Sequence, residues 1–263
     1  MNYFNLILVY PIINVLVSIY KGLYFLHFPF ALGFSIIVLT VLVRLILYPF
    51  TASQLRASKK MQELNPHLSK LKEKHKGDAK TLQQETMRLY KEHGVNPAAG
   101  CLPVIIQLPI IWGLYSSLVQ IVHLRLSEIN SIVYFPNLKL TTLWDQHFLG
   151  ISLSQTPSQV FSTYGPVIVL IPVLTALLQF IQSKMIFVTP KAVEGEKKKE
   201  TDFASAFQTQ STYLFPIMIG FFSFTFPFGL SLYWNTFTIF GIIQQYKIAG
   251  LGGLEGWIKI KRS

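Results

Sequence analysis

Residues 30–50 read FALGFSIIVLTVLVRLILYPF, an apolar run whose only charge is Arg44. A helix needs about 20 predominantly apolar residues to cross the hydrocarbon, so this stretch is predicted to span a bilayer, with Pro49 closing it. A cation in hydrocarbon costs at least ~2.5–3.5 kcal/mol on insertion scales, which makes it a functional candidate by default. The competing reading is snorkelling. Arg44 stands six positions before Phe50, about 9 Å of helix rise, and its stem is long enough to carry the head toward the headgroups.

The rest of the chain agrees with a membrane setting. Of 263 residues, 51% are hydrophobic and only 13% charged, and 21 are Phe; such proportions suit a polytopic membrane protein better than a soluble domain. Residues 102–122, 164–181, 211–226 and 229–246 also carry no charge, and each is near or slightly below spanning length. Tyr213, Trp234 and Tyr246 lie close to the ends of these runs, where aromatic rings suit the interface. Five spans are expected, at 30–50, 97–123, 164–188, 208–227 and 228–248. The connecting segments are 1–29, 51–96, 124–163, 189–207 and 249–263.

In the first segment, Asn14, Ser18 and Lys21 recur at i, i+4, i+7 on one helical face. That pattern favours an amphipathic helix lying in the interface, with a sixth spanning helix as the competing reading. No small-residue cleavage site follows a basic stretch, so a cleaved signal peptide is not expected.

The net charge of +11 is segregated. Arg56, Lys59, Lys60, Lys70, Lys72, Lys74, Lys76, Lys80, Arg88 and Lys91 fall between the first two spans, and Lys191, Lys197, Lys198 and Lys199 between the third and fourth. Lys247, Lys259, Lys261 and Arg262 follow the fifth, whereas residues 124–163 hold only Arg125 and Lys139. The positive-inside rule then puts both basic loops and the carboxyl terminus in the cytoplasm, with the amino terminus and 124–163 outside. Such segregation marks a membrane protein, and no specific nucleic-acid partner is expected.

Within 51–93, Leu64, Leu68 and Leu71 repeat at i, i+4, i+7, as do Leu82, Thr86 and Leu89. Gly77-Asp78 supplies a turn between them, and Asn65-Pro66 kinks or restarts the first helix. The segment is expected to be a cytoplasmic two-helix hairpin, either a docking surface for incoming chains or a solvated loop that only fixes topology. Cys101, the lone cysteine, permits no internal disulfide and is expected to pack as a small hydrophobe.

Several chemistries have no signature. His27, His67, His75, His93, His123 and His147 are scattered without metal-ligand spacing, and neither a Walker motif nor a phosphate-binding glycine loop occurs. The spans hold no Asp or Glu, which argues against a carboxylate proton relay, so covalent catalysis and cofactors are not expected. What the spans do contain is uncharged polarity: Gln107, Ser116, Ser117 and Gln120 in the second, and Thr175, Gln179 and Gln182 on one face of the third. Ser223 and Thr225 lie in the fourth, and Asn235, Thr236, Thr238, Gln244 and Gln245 in the fifth. Interhelical hydrogen bonding accounts for part of this set; a glutamine face together with an unpaired Arg would also suit a cavity holding water.

Three segments together resemble the YidC/Oxa/Alb family of membrane protein insertases. They are VLTVLVRLILYPFT around Arg44, KMQELNPHLSKLKEKHKGD followed by LYKEHGVNPAAGCLPVIIQLPIIWGLY, and FPFGLSLYWNTFTIFGIIQQY. The similarity covers residues 10–246 and is weakest in 124–163. It implies an all-α polytopic membrane protein with a five-transmembrane-helix core, an amino-terminal interfacial helix and a cytoplasmic hairpin. It also implies a hydrophilic groove open to cytoplasm and lipid and closed outside, with Arg44 as its cation and Gln107, Gln179, Gln182 and Trp234 as wall residues. The expected partners are nascent membrane protein clients and lipids, with the Sec translocon, the signal recognition particle receptor and the ribosome as further candidates for a monomer in the bacterial cytoplasmic membrane. An ion channel or transporter, or a purely structural scaffold, are the rival classes. No counterpart of the large extracytoplasmic domain or the lipoprotein-type amino terminus of many members occurs, and the tail after Tyr246 has four basic residues.

Overall fold

The computed structural model describes residues 3–75, 77–94, 102–186, 203–255 and 257. Cys101 and the basic segment 189–202 lie outside the described residues. Helices dominate, in two compact units.

The first unit comprises residues 1–47, 106–179 and 217–240. After a π-helical lead over Asn5–Val9, α1 runs Tyr10–Phe25 and packs along α2, Ala31–Ile46. Ile13, Leu16, Val17 and Tyr20 make the buried stripe of α1, and Leu32, Ile36 and Leu39 that of α2. Both follow the 3.6-residue period. Leu114, Leu118 and Ile121 of α6, Leu102–His123, join the same core, as do Leu230 and Tyr233 of α11, Phe228–Ala249. The α2 ladder stops at Ile46 because Pro49, three residues on, has no N–H for the carbonyl of Leu45.

Residues 124–164, where the family resemblance is weakest, are ordered. Helix α7, Leu126–Ile132, is capped by Glu128, whose carboxylate accepts from the Arg125 amide at 2.7 Å, and α8, Pro157–Tyr164, carries a capping box through Thr156 and Gln159. Between them β1, His147–Phe148, pairs antiparallel with β2, Ile151–Ser152. Leu149 and Gly150 turn this hairpin with φ of 51° and 84°, the two positive values of a type I′ turn. Phe148 sits on Gly33 of α2 so closely that any Cβ there would collide with the ring.

Asn14 and Lys21 depart from the interfacial expectation. Asn14 is only 6% exposed. Its Nδ2 donates to the carbonyls of Tyr10 (2.8 Å) and Ile132 (3.1 Å), and its Oδ1 accepts from the Tyr134 amide at 2.7 Å. Lys21 Nζ donates to the carbonyls of Asn137 (2.6 Å) and Lys139 (3.0 Å). Two residues of the polar stripe of α1, Asn14 and Lys21, therefore clamp residues 132–139, while Ser18 stays exposed. Asn5–Phe25, at 21 residues, is itself long and apolar enough to cross a membrane, as the competing reading holds.

By length and composition alone, fewer than five helices among the described residues qualify as spans. Among the described residues, Asn5–Phe25 and the continuous run Pro157–Ile186 are long and apolar enough to span, and Ala31–Ile46 with Tyr48–Glu63 makes a third if that broken pair counts as one. Helix α9, Leu170–Ile186, is thus extended at its start by a 3-10 turn and α8. Helices α10, Phe203–Thr225, and α11 have 23 and 22 residues. Their length suffices, but Gln208, Gln210, Asn235, Gln244 and Gln245 make them more polar.

The second unit comprises residues 48–105, 180–216 and 241–263. Helices α3, Tyr48–Glu63, and α4, Asn65–Lys74, are separate, the latter starting at Asn65-Pro66. Gly77 turns the chain at φ 96°, and Asp78 caps α5, Ala79–Glu92, by accepting from the Thr81 amide at 3.0 Å. Segment 51–93 therefore holds three helices, two of which, α4 and α5, pack on each other. Glutamine side chains join the remaining pieces: Gln62 donates to Ile186 O at 2.6 Å and Gln245 to Met185 O at 3.3 Å.

Candidate functional site

Arg44 extends the buried stripe of α2, in line with Thr40 and Ile36 one and two turns earlier, and is 6% exposed. Its guanidinium lies flat on the Phe237 ring, with Cζ 3.3 Å from the centroid, well inside cation–π range. Nη2 donates to the Phe237 carbonyl at 2.7 Å. One residue of α11 thus holds the cation through both its ring and its backbone. Among the described residues no carboxylate pairs with Arg44, and its Nε is buried without a hydrogen-bond partner. The head is packed against α11, which is not the geometry of a snorkelling side chain.

The same stretch of α11 carries two further orphans, Asn235 Oδ1 and Thr238 Oγ1, both buried without partners. Buried polar atoms in folded proteins are overwhelmingly paired, with water among the partners. At 100° per residue Asn235 lies on a different face of α11 from Phe237, so the three orphans are separate sites, and water is the usual partner of such buried polar atoms.

One turn before Phe237, Trp234 Nε1 donates to Gln179 Oε1 on α9 at 3.0 Å. A hydroxyl chain continues the α9–α11 contact: Thr175 Oγ1 lies 3.2 Å from Ser223 Oγ, which lies 2.9 Å from Ser231 Oγ. These groups border a cavity of ≈ 20 Å³ walled by Ile219, Phe222, Phe226 and Leu230. A space of that size admits one water molecule, not a polypeptide.

Of the residues singled out in the sequence, Gln179 and Trp234 are therefore in direct contact, and Arg44 binds α11 one turn beyond Trp234. Gln182 is half-buried and belongs to the second unit. Gln107 falls within α6, but its side chain lies outside the described residues. Phe237 was not anticipated. An aromatic residue three positions after Trp234 carries no mark of its own in an apolar helix with several others.

A family model described as "60Kd inner membrane protein" matches residues 24–251. Membrane protein insertase YidC of Oceanobacillus iheyensis is 34% identical over 248 residues, covering 93% of this chain and 82% of that protein. Membrane protein insertase MisCA of Bacillus subtilis is 33% identical over 83% of this chain and 70% of its own length. Inner membrane protein ALBINO3 of the Arabidopsis thaliana chloroplast is 32% identical over 92% of this chain, which spans about half, 51%, of that protein. With the family model matching residues 24–251 and these relatives covering most of the chain, this chain belongs to the 60Kd inner membrane protein family, whose relatives here include the membrane protein insertases YidC and MisCA.

Proposed function

We propose that this chain is a membrane protein insertase whose Arg44 seam receives the polar tail of a client on its way across the bilayer. The observation that carries the reading is a buried guanidinium with a free Nε and, among the described residues, no acid paired with it. A polar tail crossing hydrocarbon leaves backbone groups unsatisfied at several kcal/mol each. A hydrated seam lowers that cost, and Arg44 attracts acidic tails into it.

In this reading α2, α6, α9, α10 and α11 form a five-span core, with the amino terminus outside and the carboxyl terminus in the cytoplasm. Gln107, Gln179, Gln182 and Trp234 line the groove. Clients are single- and double-spanning proteins whose apolar segments meet α9 and α11 before partitioning into lipid at ~25 cal/mol per Å² of apolar area buried. Their own hydrophobicity drives the step without ATP, and the membrane potential adds ~2.3 kcal/mol per acidic charge per 100 mV.

The test is reconstitution of the full chain in liposomes with a short acidic-tailed client, comparing Arg44→Ala and Arg44→Lys with the unaltered protein. Arg44→Ala should fold with unchanged thermal stability and insert about tenfold less client, equivalent to ~1.4 kcal/mol. Arg44→Lys should fall between, since a point charge still attracts the tail but cannot lie flat on Phe237. Full insertion by a folded Arg44→Ala protein would remove Arg44 from the mechanism. Ion flux through the chain alone would favour a channel.

A further inference from the structure

The second unit holds another buried cation. Lys184, in the last turn of α9, is 7% exposed. Its Nζ lies 5.6 Å from the centroid of the Tyr213 ring and 5.3 Å from that of Trp257. Among the described residues its one hydrogen bond, to the Tyr213 hydroxyl, is long at 3.5 Å. Phe180, one turn earlier on α9, packs against both rings, with centroids 5.9 Å from Tyr213 and 6.0 Å from Trp257. Among the described residues no carboxylate pairs with Lys184.

An ammonium has three donors, and contacts with ring faces return only a small part of its lost hydration. The α9 carbonyls that follow are taken, Met185 O by Gln245 and Ile186 O by Gln62. The rings around it are open on their outer side, Tyr213 being 46% and Trp257 63% exposed. Lysine, tyrosine and tryptophan at the end of an apolar helix are the side chains that suit the headgroup layer, where the abundant anion is a phosphodiester.

We propose that Lys184, Tyr213 and Trp257 form a binding site for the phosphate of an anionic phospholipid. Lys184 supplies the charge, the Tyr213 hydroxyl and the Trp257 indole N–H supply further donors, and the Phe180 ring backs the pocket. A zwitterionic lipid has the same phosphate, but its ammonium group opposes Lys184, so headgroup charge should govern occupancy.

The experiment uses the full chain in phosphatidylcholine liposomes doped with acyl-brominated phosphatidylglycerol or acyl-brominated phosphatidylcholine. The readout is quenching of Trp257, taken as the difference in fluorescence between the unaltered protein and Trp257→Phe. Half-maximal quenching should require about fivefold less brominated phosphatidylglycerol than phosphatidylcholine, the increment expected for one lysine at an anionic headgroup. Lys184→Arg should keep that preference and Lys184→Gln should abolish it. Equal quenching of Trp257 by the two lipids would overturn the proposal, and needs only the conservative Trp257→Phe variant to fold. A preference that persists in Lys184→Gln would overturn it too. Loss of the preference on adding excess inorganic phosphate would assign the pocket to a free anion and overturn the lipid assignment.

Discussion

Two polar regions of the first unit are built on opposite terms. Around Asn14 and residues 126–140 nearly every buried polar group has a partner: Asn14 makes three hydrogen bonds, and Asn130 exchanges two with Leu140, at 2.9 and 2.8 Å. Trp144 Nε1 is the exception there. Along Arg44, Asn235 and Thr238 the polar atoms are equally buried but left open. A satisfied network fixes one geometry, whereas an unsatisfied one keeps affinity for something that arrives. Under the proposed function, the contrast would separate the part of the unit that holds shape from the part that meets a client.

Asn14→Leu attacks the satisfied side and should have the largest effect. It orphans the Ile132 carbonyl and the Tyr134 amide, at ~1–3 kcal/mol per buried group. Thermal unfolding in detergent should show a loss of about 3 kcal/mol, with insertion per folded molecule unchanged. Next, Gly33→Ala forces Phe148 off α2 and should cost about 1–3 kcal/mol, as overpacking does; loss of protease resistance within 124–164 would report it. On the open side the sign reverses. Thr238→Val removes an unpartnered hydroxyl at a residue only 1% exposed, so stability should hold or rise by up to about 1 kcal/mol while insertion falls. A Thr238→Val protein as destabilised as Asn14→Leu would erase the distinction.

The smallest effect belongs to an exposed cap outside both regions. Asp78→Ala should speed amide exchange in the first turn of α5 and leave global unfolding unchanged. The Asp78 carboxyl is held below its ordinary range, first by the Thr81 hydroxyl and then by the Thr81 amide. Its contribution is therefore complete above the unfolded value near ~3.9 and lost as pH falls through the lower folded value. The excess exchange of Asp78→Ala over the unaltered chain, corrected for intrinsic rates, should stay constant from neutrality to about pH 5 and vanish below the folded value.

Local features were legible in the sequence where one residue type dictates one outcome. An Arg in an apolar helix, a Pro at a helix start, and Gly77-Asp78 before a cap announce themselves by chemistry alone. Pairings across long separations do not. The Asn14–Tyr134 clamp joins residues 120 positions apart, and the polar stripe of α1 says which residues share a face without saying what that face meets. Leu149 takes a left-handed conformation that its side chain disfavours, so the hairpin at 147–152 had no signal in composition. At the site, Gln179 and Trp234 were each visible as polar groups in a span, but their mutual hydrogen bond and the grip of Phe237 on Arg44 depend on how helices meet.

The first turn of α11 is tied by main-chain hydrogen bonds as well as by the packing of Phe228 with Val160 and Ile168. The Phe228 amide donates to Gln155 O and the Gly229 amide to Leu153 O, both at 2.9 Å. Since these ties involve no side chain, replacing the exposed Gln155 leaves them in place, whereas Leu153 and Phe228, each 4% exposed, also pack in the core. Cutting the polypeptide between residues 149 and 156 is the way to let go of the helix that bears Trp234 and Phe237, and a single nick there separates mechanical support from chemical identity.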